Sequence, residues 1–491
     1  MNATRWMVLI LVFAAALRLW GLGSESLWLD EALTMQKIAA PLPEFVRHFA
    51  GETQTILYFF VENLWCAVAG TSEWAARFPS VVYGLAAVLG TFLLARALFS
   101  PTVGLYAALF MAVNPFAVYY SQEARPYALF LAAAVFSLYY VVGVLRDGTR
   151  RSRAGYVVST AVALYSHPLA LLLWGVHAAA LLMPLGQGQE RRRAGRRLAR
   201  VMAISALLFI PQVVLISAQA VAKVLGVSAA SWIPVPPLSA IGVTVTQYFM
   251  HPLSALAVML VLAAVVAAVL FKRRRLPSGL WIPAALLVFF MLAPWIISHL
   301  LTPVYVERYT IPALAGFVIA LAWALSEMRR WLRAAAVTLL MALTAVALHG
   351  YYTGMDKESW RQTAEAVRTL VRPGDLIVVT VSYTAPALRY YYDPPQGVTV
   401  AAPWKLSEIP TAVDTCARIV RVRSYELKPN ETVNELDRRI AAGRRVLSER
   451  LIAEGQKRNP YLYWMSPIRV TLYARETITR NDEGRGMRAE G

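Results

Sequence analysis

The sequence predicts an α-helical polytopic membrane protein of about eleven transmembrane helices, with outer juxtamembrane helices and a small C-terminal soluble α/β domain. Three observations carry that expectation. Of 491 residues, 58% are hydrophobic and 16% charged, and the mean hydropathy is +0.50. Apolar runs of membrane-spanning length recur through the first 350 positions and then stop. The formal charge of +19 is concentrated in short loops between those runs: Arg146 to Arg153, Arg191 to Arg197, Lys272 to Arg275, and Arg329, Arg330 and Arg333. Basic residues so placed mark cytoplasmic loops, so the charge reports orientation and excludes a nucleic-acid partner. Cys66 and Cys416 lie too far apart in the sequence to suggest a disulfide framework or a thiolate metal site.

Fixing the basic loops inside orders the elements. Residues 1–5 are then cytoplasmic, and Trp6 to Leu22 is a first span, retained because no small-residue cleavage site follows it. An outer segment runs from Gly23 to about Pro79. Within it, Ile56 to Ala69 is apolar but, at about 1.5 Å per residue, too short for a bilayer core of about 30 Å, and it reads as a helix on the outer face. Spans follow at about 80–98, 103–120 and 126–145. The run Gly155 to Leu185 lies between two basic loops and must cross an even number of times, as two short arms that turn outside near His167 and Pro168. Spans at about 201–218, 246–271, 279–298, 310–327 and 334–350 complete a membrane domain of residues 1–350.

From Tyr351 the composition turns mixed, which predicts an extracytoplasmic soluble domain over 351–480 and a disordered tail over 481–491. Ser359 to Val371 has helical amphipathic spacing. Leu376 to Val381, Ile419 to Val422 and Ile468 to Leu472 read as strands, and Val433 to Ala442 as a charged helix. No phosphate-binding glycine loop, His/Cys cluster or nucleophile elbow occurs there.

Candidate site residues gather in the outer loops. Asp30 and Glu31 follow the first span, where a base at a membrane surface belongs; the plainer reading is acids in the first turn of a juxtamembrane helix. Arg18 sits inside the first span near its outer end, paired and functional or snorkelling to headgroups. Glu123, Arg125 and Tyr127 form a polar hinge between two spans, or a wet turn with interfacial tyrosines. His167 marks the hairpin tip, and a lone histidine is more often a structural hydrogen-bonder. Arg308 and Tyr309 precede a later span, where Arg308 is placed to bind a phosphate. Arg77 follows Glu73 at helical i,i+4 spacing, which is also the spacing of a simple pair.

In this order the motifs resemble the GT-C superfamily of membrane glycosyltransferases, in particular glycosyltransferase family 39 and the dolichyl-phosphate-mannose protein mannosyltransferase-like group. The resemblance rests on Trp28-Leu29-Asp30-Glu31, Gly70-Thr71-Ser72-Glu73 with Arg77-Phe78-Pro79, Ser121 to Ala128, Ser166-His167, Arg308-Tyr309 with Pro312-Ala313, and Trp360-Arg361. Where family members often carry a Pro-Pro element in the first outer loop, this chain has Thr53-Gln54-Thr55-Ile56. The resemblance implies inverting transfer of a monosaccharide from a polyprenyl-phosphate-linked donor to a glycan, lipid or protein acceptor, in a bacterial or archaeal cell membrane. A phosphate ester leaves without a strong general acid, so the chemistry asks for a base and for positive charge at the departing phosphate. The implied assignments are Asp30 as general base, with Glu31 orienting it, and Arg308, Arg125, Arg18 and Arg77 on the donor phosphate. Glu123, Tyr127, His167 and Tyr309 fall to substrate binding. The resemblance fixes no cofactor; a divalent metal stays open, with Asp30 and Glu31 as ligands joined by Glu123 and His167. The competing class is a transporter or flippase of lipid-linked sugars, although no repeated halves are visible.

Overall fold

A computed structural model describes residues 3–41, 44–45, 54–184, 188–224, 233–272, 275–354, 357–424, 431–452 and 467–475. The tail over 481–491 lies outside them. The described residues divide into two compact units: one of residues 3–24 and 37–354, the other of residues 25–36 and those from 357 onward. The acidic segment after the first helix therefore groups with the C-terminal residues.

The chain begins with α1 (Ala3–Leu19) and α2 (Leu29–Ile38), the latter part of the second unit as far as Gln36. The first unit continues with α3 (Leu57–Ala69), α4 (Glu73–Leu98), α5 (Pro101–Val113), α6 (Pro115–Ser121), α7 (Tyr127–Arg146) and α8 (Arg150–Ser166). Among the described residues, six helices are long and apolar enough to cross a membrane: α4, α7, Gln189–Val214, Pro252–Phe271, Ser278–Leu300 and Arg330–Thr353. The pair α5 and α6, bent by 61°, makes a seventh. Four of the expected spans fall short: α1 at 17 residues, α8, the segment Pro168–Leu182, and Pro312–Glu327 at 16 residues. Nearly every residue of Pro312–Glu327 is buried. A helix enclosed by its neighbours does not have to match the thickness of the lipid. The helices pack closely, and a Cβ on Gly90 of α4 would meet Val135 Cγ2 of α7 at 2.6 Å, so only glycine lets those two helices approach so nearly.

The expected continuous span over 103–120 is corrected by the break at Asn114 and Pro115. Proline has no N–H and disfavours a helical residue before it. Asn114 takes extended angles and caps α6, its Oδ1 accepting from the Ala117 N–H at 2.9 Å, while its Nδ2 donates to the Tyr248 carbonyl at 2.9 Å.

The second unit is a five-stranded sheet of order β2-β1-β3-β5-β4, made of β1 (Leu376–Thr380), β2 (Thr399–Ala401), β3 (Arg418–Arg423), β4 (Arg444–Ile452) and β5 (Ile468–Arg475). β1 runs parallel to β2 and β3, and β5 antiparallel to β3 and β4. β1 is almost wholly apolar because both faces of the sheet are covered, whereas β3 and β5 interleave charged and polar residues. On one face Trp360, Ala364 and Val367, at helical spacing on Trp360–Leu370, pack with Ile377, Val379, Val420 and Val422, and Ala32 of α2 joins them. On the other, Leu436 and Ile440 of the helix Glu431–Ala441 cover Leu376, Val378 and Ile419.

Candidate active site

The candidate residues fall in both units. In the second unit, the first turn of α2 is tied to the start of the C-terminal residues. Glu31 is fully buried: its Oε2 accepts from the Trp28 N–H at 3.3 Å, which is the return arm of a capping box, and its Oε1 meets Lys357 Nζ at 3.1 Å. Glu358, also buried, accepts through Oε2 from the Leu29 N–H at 3.1 Å and from the Trp360 indole. One turn earlier the Leu27 N–H donates to the Tyr391 hydroxyl at 2.6 Å, and the Arg361 N–H to Ser26 Oγ at 3.2 Å. These partners satisfy N–H groups that a helix start leaves open. Asp30 projects from the turn so fixed. Glu31 is therefore bound into an ion pair and a cap.

In the first unit, five of the expected residues converge around one ring. The guanidinium carbons of Arg125 and Arg308 lie 6.0 and 5.9 Å from the Tyr127 ring centroid. Tyr309 stacks on Tyr127 at 6.1 Å, and His167 meets Tyr309 edge-on at 4.8 Å. Both arginines are buried, at 6% and 7% exposure. Glu123 is fully buried and acts electrostatically on Tyr120, as Arg308 does. His167 is committed structurally: its Nδ1 accepts from the Leu169 N–H at 3.2 Å, and its ring stacks on Phe130 at 4.8 Å. Phe59 of α3, 6.0 Å from Arg125, is a member of this cluster that sequence reading missed.

Arg18 and Arg77 are placed differently. Pro115 cannot donate to the Met111 carbonyl four residues back, and the break strands the Ala112 carbonyl as well. Arg18, fully buried, serves both: Nη1 donates to Ala112 O at 2.8 Å and Nη2 to Met111 O at 3.4 Å, with Nε to Ser121 Oγ at 3.1 Å. A Cβ on Gly84 would lie 2.1 Å from Ser121 Oγ and 2.9 Å from Arg18 Nε, so this glycine clears the site of the guanidinium. Arg18 thus serves the open carbonyls of a helix break. Beyond α1, Gln122 Nε2 donates to the carbonyls of Arg18 and Trp20 at 2.9 and 2.7 Å, and Arg77 Nη1 to that of Leu22 at 2.9 Å.

Among the described residues no group of three or more His, Cys, Asp or Glu side chains is spaced to hold an ion, and Glu31 and His167 carry the bonds given above.

An apolar bundle with broken and shortened helices, carrying buried cations, is that of an integral membrane protein with a GT-C-like fold. Residues 53–215 match the family model of dolichyl-phosphate-mannose-protein mannosyltransferase. The fold is similar to that of apo ArnT from Cupriavidus metallidurans, at a TM-score of 0.63 and 13% identity over 96% of this chain and 98% of that one. ArnT has also been solved bound to undecaprenyl phosphate, where the match has a TM-score of 0.58 at 13% identity, over 96% of this chain and 98% of that one. The oligosaccharyltransferase AglB of Archaeoglobus fulgidus, solved with an inhibitory peptide and a dolichol-phosphate, matches at a TM-score of 0.54 and 12% identity, over 85% of this chain and 69% of that one. No curated protein sequence matches the chain.

Proposed function

We propose that the protein is a glycosyltransferase that moves a monosaccharide from a polyprenyl-phosphate-linked donor to a hydroxyl-bearing acceptor on the extracytoplasmic face. The observation that carries this reading is the pair of buried guanidinium groups, Arg125 and Arg308, each about 6 Å from the Tyr127 ring. Buried positive charge of this kind suits a phosphate that is a monoanionic diester in the donor and gains a further charge on departure. Stabilisation of that growing charge lowers the barrier more than the ground state. The GT-C fold shared with ArnT and AglB, each solved with a polyprenyl phosphate, supports the same donor class.

Asp30 is the general base in this reading. Its carboxylate takes the acceptor hydroxyl proton as the oxygen attacks the anomeric carbon. The bond from that carbon to the phosphate oxygen breaks with both electrons going to the phosphate, and the configuration inverts in a single displacement. Arg125 and Arg308 hold the departing polyprenyl phosphate. Tyr127 and Tyr309 offer ring faces and hydroxyls to the sugar, with Glu123 a hydroxyl acceptor beside them. Arg77 and His167 act at one remove, through the backbone they cap. The test is transfer of radiolabel from a polyprenyl-phosphate sugar by the purified protein and its Asp30→Asn form. The reading predicts acceptor-dependent transfer by the wild type, lost in the variant with donor binding retained. Wild-type rates from a well-folded Asp30→Asn protein would remove Asp30 as the base.

A further inference from the structure

The proposed base sits on a one-turn platform whose other members do no chemistry. Trp28 and Leu29, immediately before Asp30, each give their backbone N–H to a buried carboxylate: Trp28 to Glu31 and Leu29 to Glu358. Glu31 is neutralised by Lys357 Nζ at 3.1 Å, with side chains 0% and 2% exposed, and Glu358 also takes the Trp360 indole N–H. A carboxylate buried this deeply stays charged only beside a cation. Lys357 is therefore what allows Glu31 to serve as the cap of the turn that carries Asp30.

We infer that Lys357 is a positioning residue for the transfer reaction, fixing the Asp30 carboxylate through the buried Glu31 ion pair so that the unit carrying the sheet helps build the catalytic turn. This rests on Asp30 being the base. A base displaced by about 1 Å costs on the order of 100-fold in rate, while binding groups that have not moved still hold the donor.

The experiment compares Lys357→Met, Lys357→Arg and Asp30→Asn proteins in the radiolabel transfer assay, with thermal midpoints measured alongside. The expected result is that Lys357→Met lowers kcat about 10- to 100-fold with the donor KM within about twofold, and that Lys357→Arg, which keeps the cation, recovers most of the loss. If Lys357→Met does not accumulate, the double variant Glu31→Gln with Lys357→Met leaves no charge unpaired and carries the same expectation for kcat. Wild-type kcat in Lys357→Met or in the double variant would overturn the inference. So would a rise in donor KM with kcat unchanged, or an arginine variant as poor as the methionine one. An inactive Asp30→Asn beside a fully active Lys357→Met refutes the positioning role alone, whereas an active Asp30→Asn refutes the base assignment beneath it.

Discussion

Replacing Arg18 with methionine keeps the apolar stem and removes every donor from the helix break. The Met111 and Ala112 carbonyls, left open by Pro115 and the turn at Asn114, would then face a site that excludes water. Each unsatisfied buried acceptor costs about 1–3 kcal/mol, so the pair amounts to roughly 2–6 kcal/mol. Relief from burying the guanidinium itself offsets part of this, leaving a net loss of about 2–4 kcal/mol. At about 2 °C per kcal/mol for a chain above 200 residues, the thermal midpoint in detergent should fall by roughly 4–8 °C. Donor KM in the folded fraction should stay at the wild-type value, because Arg18 is committed to Ser121, Met111 and Ala112. An unchanged midpoint together with a donor KM raised tenfold would make Arg18 a phosphate ligand and refute the reasoning.

Gly84→Ala should reproduce the Arg18→Met loss of midpoint, since its Cβ would stand 2.1 Å from Ser121 Oγ; a midpoint within 1 °C of wild type, taken as about half a kcal/mol, would show that Ser121 swings away freely. Arg125→Met and Arg308→Met should each reduce kcat/KM for the donor by about 10- to 1,000-fold, the cost of one charged stabiliser, and initial rates across donor concentrations check this. Asp414 is held below the ordinary carboxylate range by its hydrogen bond to Arg439, Nε to Oδ1 at 2.9 Å. A depressed carboxylate stabilises the fold above its unfolded value and loses that contribution as pH falls through its folded value. The pair is exposed, so Asp414→Asn should cost below about 1 kcal/mol near neutral pH, a difference that vanishes in acid melts.

The apolar bundle was legible from its long apolar runs and the central strands from short Val- and Ile-rich stretches, and β1, β3 and β5 were each expected within a residue or a few of where they lie. The edge strands were not. β2 has three residues, and β4 is largely exposed and interrupted by a bulge between Val446 and Ser448, so neither shows alternation. The bend at Asn114-Pro115 was written in the sequence, but it fell inside a run apolar enough to read as one span. In the candidate site, the residue types told where cations and acids gather, and the convergence of Arg125, Tyr127, His167, Arg308 and Tyr309 follows that reading. What sequence could not separate was chemistry from architecture. An arginine mending a proline break and an arginine beside a tyrosine face look alike as single letters in an apolar helix. Lys357 and Glu358 were passed over for the same reason: a charged pair before an amphipathic helix reads as solvated surface until its partners, more than 320 residues away, are known.

The most direct test of the account reconstitutes the purified protein in a defined bilayer with a panel of polyprenyl-phosphate monosaccharides and a cell-envelope acceptor extract, and follows both ends of the scissile bond by mass spectrometry and NMR. One free polyprenyl phosphate is expected for each new glycoside, formed with inverted anomeric configuration. Donor recovered intact but moved to the opposite leaflet would contradict it and make the protein a carrier of lipid-linked sugars.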